Sequence, residues 1–168
     1  MSLSNDLRDV QQRVIELYGQ AEQCFHRRLS MPYIRLDLTG STAGQAWPQK
    51  HLLRFNQVLL RENRADFLCQ TVAHEVAHLL AHELYGPHIR PHGPQWQSIM
   101  TAVFGLPAQR CHQYDTSRST RKEWLYRCQC DNKIIPLSTV RHNRAQKGTV
   151  YLCRCCKAPL TFQGKAEN

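Results

Sequence analysis

The sequence contains no stretch of about 18 consecutive apolar residues, so no segment reads as a membrane-spanning helix. The N-terminus, MSLSNDLRDVQQRV, lacks the apolar run of about 7 to 15 residues that a secretory signal requires. A soluble, cytoplasmic protein without a membrane partner is the expectation. Internal repeats and low-complexity tracts are also absent. Without a secretion signal, the eight cysteines are expected to be thiols or metal ligands rather than a disulfide scaffold. Acidic residues are scarce at one end. Residues 106–168 carry four Asp+Glu against twelve Lys+Arg, and residues 1–105 carry nine against ten, so the net +9 divides into +8 and +1. The basic excess is therefore a property of the tail, which suits either a solvated surface or a face that meets a polyanion.

The 168 residues suffice for a core of about 100 residues and a small appendage. Ser4 is a candidate N-cap for an amphipathic helix running to about Arg28, with Leu7, Val10, Val14, Leu17, Ala21 and Cys24 or Phe25 at steps of three and four. MPYIRLDLTG alternates Ile34, Leu36 and Leu38 with Arg35 and Asp37, the period of a half-buried strand. GSTAGQAW, residues 40–47, reads as a turn region, HLLRF as a second strand and NQVLLREN as a short helix. A long helix follows in RADFLCQTVAHEVAHLLAHELYG, with Gly86 as a left-handed cap. Another begins near Pro94 and stops at Gly105. This order predicts an α+β domain over residues 1–105. Residues 106–123 are polar and read as a linker or a lash over the core. Residues 124–165 form short β-like runs around paired cysteines.

Residues 74–96, HEVAHLLAHELYGPHIRPHGPQW, concentrate five histidines. His74 and His78 stand four apart, one helical turn on one face, so both imidazoles reach a single ion. Glu75 lies about 100 degrees around the axis, free to accept a proton from a water molecule that zinc has acidified. The motif arises in roughly 2 of 100 shuffled chains of this composition, so its setting matters. Val72, Val76, Leu79 and Leu80 supply that setting by anchoring the helix in a core. Of the candidates for a third ligand, His82 lies about 12 Å along the axis from His74 and His88 has no room to turn back after Pro87. His92, held by Gly93 and Pro94 at the start of the next helix, has that room and is favoured.

GSTAGQAW, RFNQVLL, HEVAHLL and PHGPQW, in this order, resemble the SprT family, related to the Spartan-type DNA-dependent zinc metalloproteases. The resemblance spans nearly the whole chain. It implies a zincin-like metalloprotease domain with His74, His78 and His92 on a catalytic zinc and Glu75 as the catalytic residue. It also implies a protein substrate that is bound or crosslinked to DNA. The metzincin pattern does not fit, because Leu84 stands where its third histidine would be.

Cys128-x-Cys130 and Cys153-x-x-Cys156 present four thiolates for a closed, structural zinc site in a small β zinc ribbon. Cys155 competes for a place, but the Cys-x-x-Cys spacing, shared by the family's second pair, favours Cys156. Cys24, Cys69 and Cys111 are expected as small buried hydrophobes. Between the cysteine pairs, Arg141, Arg144 and Lys147 flank an expected hairpin turn at Lys147-Gly148 and suit sequence-independent contacts to DNA phosphates. No small-molecule cofactor is expected beyond the two zinc ions. A non-catalytic, zinc-containing nucleic-acid-binding protein is the competing assignment, and a metal-dependent nuclease a weaker third.

Overall fold

The structure, a computed structural model, describes residues 3–116, 118–119, 124–130 and 133–165. It divides into two compact units, Met1–Ser119 and Thr120–Asn168. Both mix helices with a small sheet, giving the α+β class. Among the described residues no helix is long and apolar enough to cross a membrane.

The first unit opens with α1 (Leu3–Phe25), whose Val10, Val14, Leu17 and Ala21 are fully buried. Ser4 stands inside this helix rather than capping it, and the helix ends three residues before Arg28, where His26 adopts φ 49°. Asp6, buried in the first turn, accepts hydrogen bonds from Gln57, Arg61 and Arg64. These tie α1 to the segment that follows the sheet.

That sheet comprises β1 (Tyr33–Leu38), β2 (Gly44–Trp47) and β3 (Leu52–Asn56) in the order β1-β3-β2. β1 runs parallel to β3 and β2 antiparallel to it. β2 corrects the expectation of a turn region: Gly44, Gln45, Ala46 and Trp47 pair along β3, from Gly44 opposite Phe55 to Trp47 opposite Leu52. Asn56 ends β3 and caps α2 (Gln57–Glu62), accepting from the N–H groups of Val58 and Leu59. Its Nδ2 donates to the carbonyls of Gly40 and Thr42, fixing the loop before β2.

The long helix is present as α3 (Arg64–Asp66), a π-helical turn (Phe67–Thr71) and α4 (Val72–Tyr85). Val72, Val76, Leu79 and Leu80 are buried in the core, as the pattern required. Gly86 ends α4 with φ 86° but ψ 179°, so it leaves the helix extended rather than in the left-handed helical cap expected of it. Its N–H still closes the last turn on the carbonyl of His82. α5 (Pro94–Ser98) continues through a π-helical turn, Ile99–Val103.

Of the expected linker, Ser117 and residues 120–123 lie outside the described residues. The stretch from 106 to 116 belongs to the first unit. The phenol of Tyr114 donates to Asp66 at 2.7 Å and lies 2.9 Å from Thr71 Oγ1, and Ser119 exchanges two hydrogen bonds with Gly40. Cys24, Cys69 and Cys111 are exposed, contrary to expectation. On α1 the neighbours Ala21 and Phe25 take the packing positions, leaving Cys24 on the outer side.

The second unit holds β4 (Trp124–Arg127), β5 (Ile134–Leu137), α6 (Thr139–Gln146) and β6 (Thr161–Lys165), with the strands ordered β5-β4-β6 and antiparallel. The expected hairpin turn is instead the end of α6. Ser138 caps its N-terminus by accepting from Arg141 N–H, and Gly148, at φ 94°, leaves it. The helix is polar, and its one buried residue is His142. That ring stacks on Trp124 at 3.7 Å and 1° and lies 3.0 Å from the Tyr126 hydroxyl.

Candidate metal centres

α4 places His74 and His78 one turn apart, and the turn before α5 brings His92 to them. The three Nε2 atoms lie 3.1, 3.1 and 3.2 Å from one another. Nitrogens bound at about 2.0–2.1 Å to a tetrahedral ion stand about 3.3 Å apart, so this triangle fits a zinc-sized cation. Both remaining candidates fall outside the triangle: His82 is on the same cleft wall one turn further along α4, and His88 is exposed.

The rings are held from behind. Trp96, fully buried, packs against all three at centroid distances of 4.8, 5.6 and 4.8 Å. Its indole N–H donates to the carbonyl of His74 at 3.2 Å. The carbonyl of Gln109 lies 3.1 Å from Nδ1 of His74, an arrangement that puts the ring proton on Nδ1 and leaves the Nε2 lone pair for a metal. Gln97 donates to the carbonyl of His92 and fixes the turn.

Burial and the neighbouring His92 push His74 down to about 4, against the Gln109 carbonyl and with His112 acting in the same direction as burial. Burial and the other two imidazoles push His78 down to about 3. His92 is lowered as well, by burial and by Arg110. All three are therefore neutral at pH 7, the form that ligates a metal.

Glu75 points into the same cleft, 8 % exposed. Burial raises its carboxyl to about 8, opposed by a hydrogen bond from the Ala46 backbone N–H. A divalent cation nearby would act in the opposite sense to burial. Gly44, on the adjacent strand, leaves the room that the Glu75 side chain fills. The cleft has a volume of about 1290 Å³. β2 forms one wall, and residues 109–114 another.

In the second unit the sulfurs of Cys128, Cys130, Cys153 and Cys156 all lie within 4.8 Å of one another. The separations are 3.0 Å for Cys128–Cys130, 3.2 Å for Cys128–Cys156 and 3.8 Å for Cys130–Cys153. A tetrahedral zinc tetrathiolate, at about 2.3 Å per bond, needs about 3.8 Å, so the shorter pairs have less than about 1 Å to open. Cys155 is not in the group and contributes its N–H, which bonds to Cys153 Sγ at 3.4 Å. The N–H of Cys156, the Cys128 thiol and the N–H of Cys155 together draw Cys153 down to about 6. The N–H of Ala158 acts first in lowering Cys156. Both sulfurs are thus disposed to the thiolate form that binds metal.

Arg141 and Arg144 are exposed on α6, and Lys147 is exposed at its C-terminal cap.

Comparison with known proteins identifies the family. The model of the SprT-like family matches residues 14–112, which hold the whole histidine and glutamate constellation. The chain belongs to the SprT-like family. It is 52 % identical to Protein SprT of Pseudomonas paraeruginosa over 157 residues, covering 93 % of this chain and 95 % of that one. Protein SprT of Pseudomonas aeruginosa strain LESB58 is 51 % identical over 154 residues, with 91 % and 93 % covered. Protein SprT of Pseudomonas putida is 46 % identical over 158 residues, with 94 % and 96 % covered. No solved structure gives a significant match. The family match stops at residue 112, but the relatives extend across the second unit, so its four cysteines lie within the compared length.

Four features of the first site escape the sequence patterns. Gly44 looks like a turn glycine, Ala46 and Gln109 act through backbone groups, and Trp96 looks like an ordinary core residue. Trp96 alone left a trace, two residues beyond the Gly93-Pro94 step that positions His92.

Proposed function

We propose that this chain is a zinc-dependent metallopeptidase with a zincin-like first unit, acting on DNA-bound or DNA-crosslinked proteins. The observation that carries the reading is the triangle of three Nε2 atoms with a buried carboxylate from the next residue of the same helix, inside a cleft large enough for a polypeptide. His74, His78 and His92 would hold the ion. When bound there, zinc supplies Lewis acidity toward a peptide carbonyl and makes water a better acid. Glu75 accepts the proton of the attacking water at its carboxylate and returns one to the departing amide nitrogen. Burial makes its carboxylate a stronger base than an ordinary one, and a cation held by the three imidazoles would act in the opposite sense and favour the ionised form that accepts the proton. β2 is an edge strand, and its residues 44–46 line the cleft, an arrangement suited to a substrate lying extended beside it.

The second unit serves as a zinc ribbon closed by Cys128, Cys130, Cys153 and Cys156, and it brings the enzyme to DNA. Arg141, Arg144 and Lys147 are free to meet phosphates without reading base sequence. Four reduced thiolates suit a cytoplasmic setting. The competing assignment, a non-catalytic nucleic-acid-binding protein, gains nothing from burying Glu75 beside a three-ligand site. A structural site would close with a fourth Cys or His, as the second unit does.

The test is incubation of the purified chain with a DNA-bound protein, with and without a chelator, followed by zinc addition. Cleavage that chelation abolishes and zinc restores supports the assignment. Unimpaired cleavage in chelator, or no cleavage by the zinc-loaded chain, contradicts it.

A further inference from the structure

The sheet of the first unit has two faces of different character. Ile34, Leu36, Ala46, Leu53 and Phe55 face the core. The opposite face carries Tyr33, Arg35 and Asp37 from β1, and Gln45 and Trp47 from β2. Register sorts these into rows. Tyr33 lies opposite Leu52 and Leu52 opposite Trp47, making one row across three strands with an aromatic ring on each outer strand and Leu52 between them. The next row on that face is Arg35, Arg54 and Gln45. Rows two residues apart are separated by about 6.6 Å, and Tyr33 and Trp47, two strands apart, by about 10 Å.

The aromatics are not consumed by the fold. Tyr33 is 77 % exposed, far more than a packed aromatic. Trp47 is partly exposed, with the Lys50 ammonium 4.6 Å and the Arg54 guanidinium 5.2 Å from its ring centroid. Two cations thus lie against the Trp47 ring, and Arg35 stands on the same face two residues along β1 from Tyr33. One carboxylate, Asp37, holds both arginines, at 2.7 Å from Arg35 and 2.8 Å from Arg54, while 62 % of the Arg35 side chain stays exposed. The face keeps a net positive charge, and its guanidinium groups are oriented by a fixed partner.

We propose that this sheet face binds single-stranded nucleic acid, with bases stacking on Tyr33 and Trp47 and phosphates held by Arg35, Arg54 and Lys50. Aromatic rings beside a cationic row are what a strand with unstacked bases requires, and a duplex, whose bases are already stacked, cannot use the rings. Charge complementarity identifies the partner as a polyanion, and the ring spacing gives each ring its own base. Tyr33, Trp47, Arg35, Arg54 and Lys50 are not among the residues that line the metal cleft, and they would give the first unit its own grip on a single strand.

The experiment measures binding, not hydrolysis, so it is independent of the peptidase assignment. The full-length chain carrying Arg141→Ala, Arg144→Ala and Lys147→Ala removes the α6 cations and serves as background. A short oligothymidylate is titrated into this background and into the same chain with Tyr33→Ala or Arg35→Ala added. Circular dichroism confirms folding, which these exposed positions should not disturb. Tyr33→Ala is expected to weaken binding about tenfold, the effect of losing one base stack. Arg35→Ala is expected to lower the salt slope by about 0.7. Ultraviolet crosslinking is expected to attach the oligonucleotide to peptides containing Tyr33 or Trp47. No residual binding in the background chain, an unchanged affinity in Tyr33→Ala, or crosslinks confined to the second unit would each overturn the proposal. Equal competition by polyglutamate would overturn it too, because it would show a general anion surface without stacking.

Discussion

A Cβ placed on Gly44 would lie 2.5 Å from Cγ of Glu75 and 2.7 Å from its Oε1. The strand glycine and the helical carboxylate therefore occupy complementary space, and Glu75 has its position because residue 44 has no side chain. Gly44→Ala must displace either the carboxylate or the edge strand. The expected result is at least a tenfold loss of kcat with zinc content unchanged, and a stability cost of about 1–3 kcal/mol for the overpacking. Parallel measurements of turnover, bound zinc and urea midpoint check this.

Trp96 touches all three metal-facing rings and bonds to the backbone of one, so it should set metal affinity without being a ligand. Trp96→Phe keeps an aromatic platform but loses the indole N–H, and is expected to weaken zinc binding about tenfold, in the range of outer-shell losses. Trp96→Ala should also lose about 3–5 kcal/mol of stability. Competition against a chromophoric chelator measures the affinity, and equal affinity in Trp96→Phe would remove the N–H from the account.

Cys155 and Cys156 are neighbours with different fates. Cys156→Ser is expected to lose one zinc per chain and unfold the second unit, because metal free energy there is folding free energy. Cys155→Ser leaves all four sulfurs in place and is expected to be silent. Zinc stoichiometry of the two variants distinguishes them.

Asp6 carries a pH dependence that is independent of metal. Burial alone would raise its carboxyl, but hydrogen bonds from Gln57, Arg61 and Arg64 outweigh burial and hold it below the ordinary value of 3.8. A depressed folded-state value contributes stability that is present above the unfolded value and is lost as pH falls through the folded one. Asp6→Asn is therefore expected to cost about 2 kcal/mol at pH 7, with the difference from wild type shrinking below about pH 4. Urea midpoints of both chains at neutral and acidic pH test the sign. A difference that grows in acid would contradict it.

The parts of this molecule that were legible in its sequence are those built from side chains at regular spacing. His74, Glu75 and His78 announce themselves because a helix converts a four-residue step into a shared face, and His92 follows from the rigid Gly93-Pro94 turn. β2 was not legible. Four residues beginning with glycine look like a turn, and only pairing with β3 makes them a strand. α6 was hidden for a related reason: it has no apolar stripe, and a single buried histidine against Trp124 anchors it. Residues 106–116 look like a linker because the apolar residues that pack on the core, Leu106, Ala108 and Tyr114, and polar contacts such as Tyr114 to Asp66 fall at no regular period. Cys24, Cys69 and Cys111 were misplaced by a general tendency of thiols to be buried, which says nothing about a particular helix face.

The most direct test of the central claim is hydrolysis by the Glu75→Gln variant, measured with its zinc content and its circular dichroism. The amide is nearly isosteric but cannot accept the proton, so the loss should fall on turnover rather than on binding. The variant is expected to keep zinc at the histidine site, keep its fold and lose peptide-bond hydrolysis. A zinc-loaded, folded Glu75→Gln chain that cleaves as fast as the wild type would contradict it.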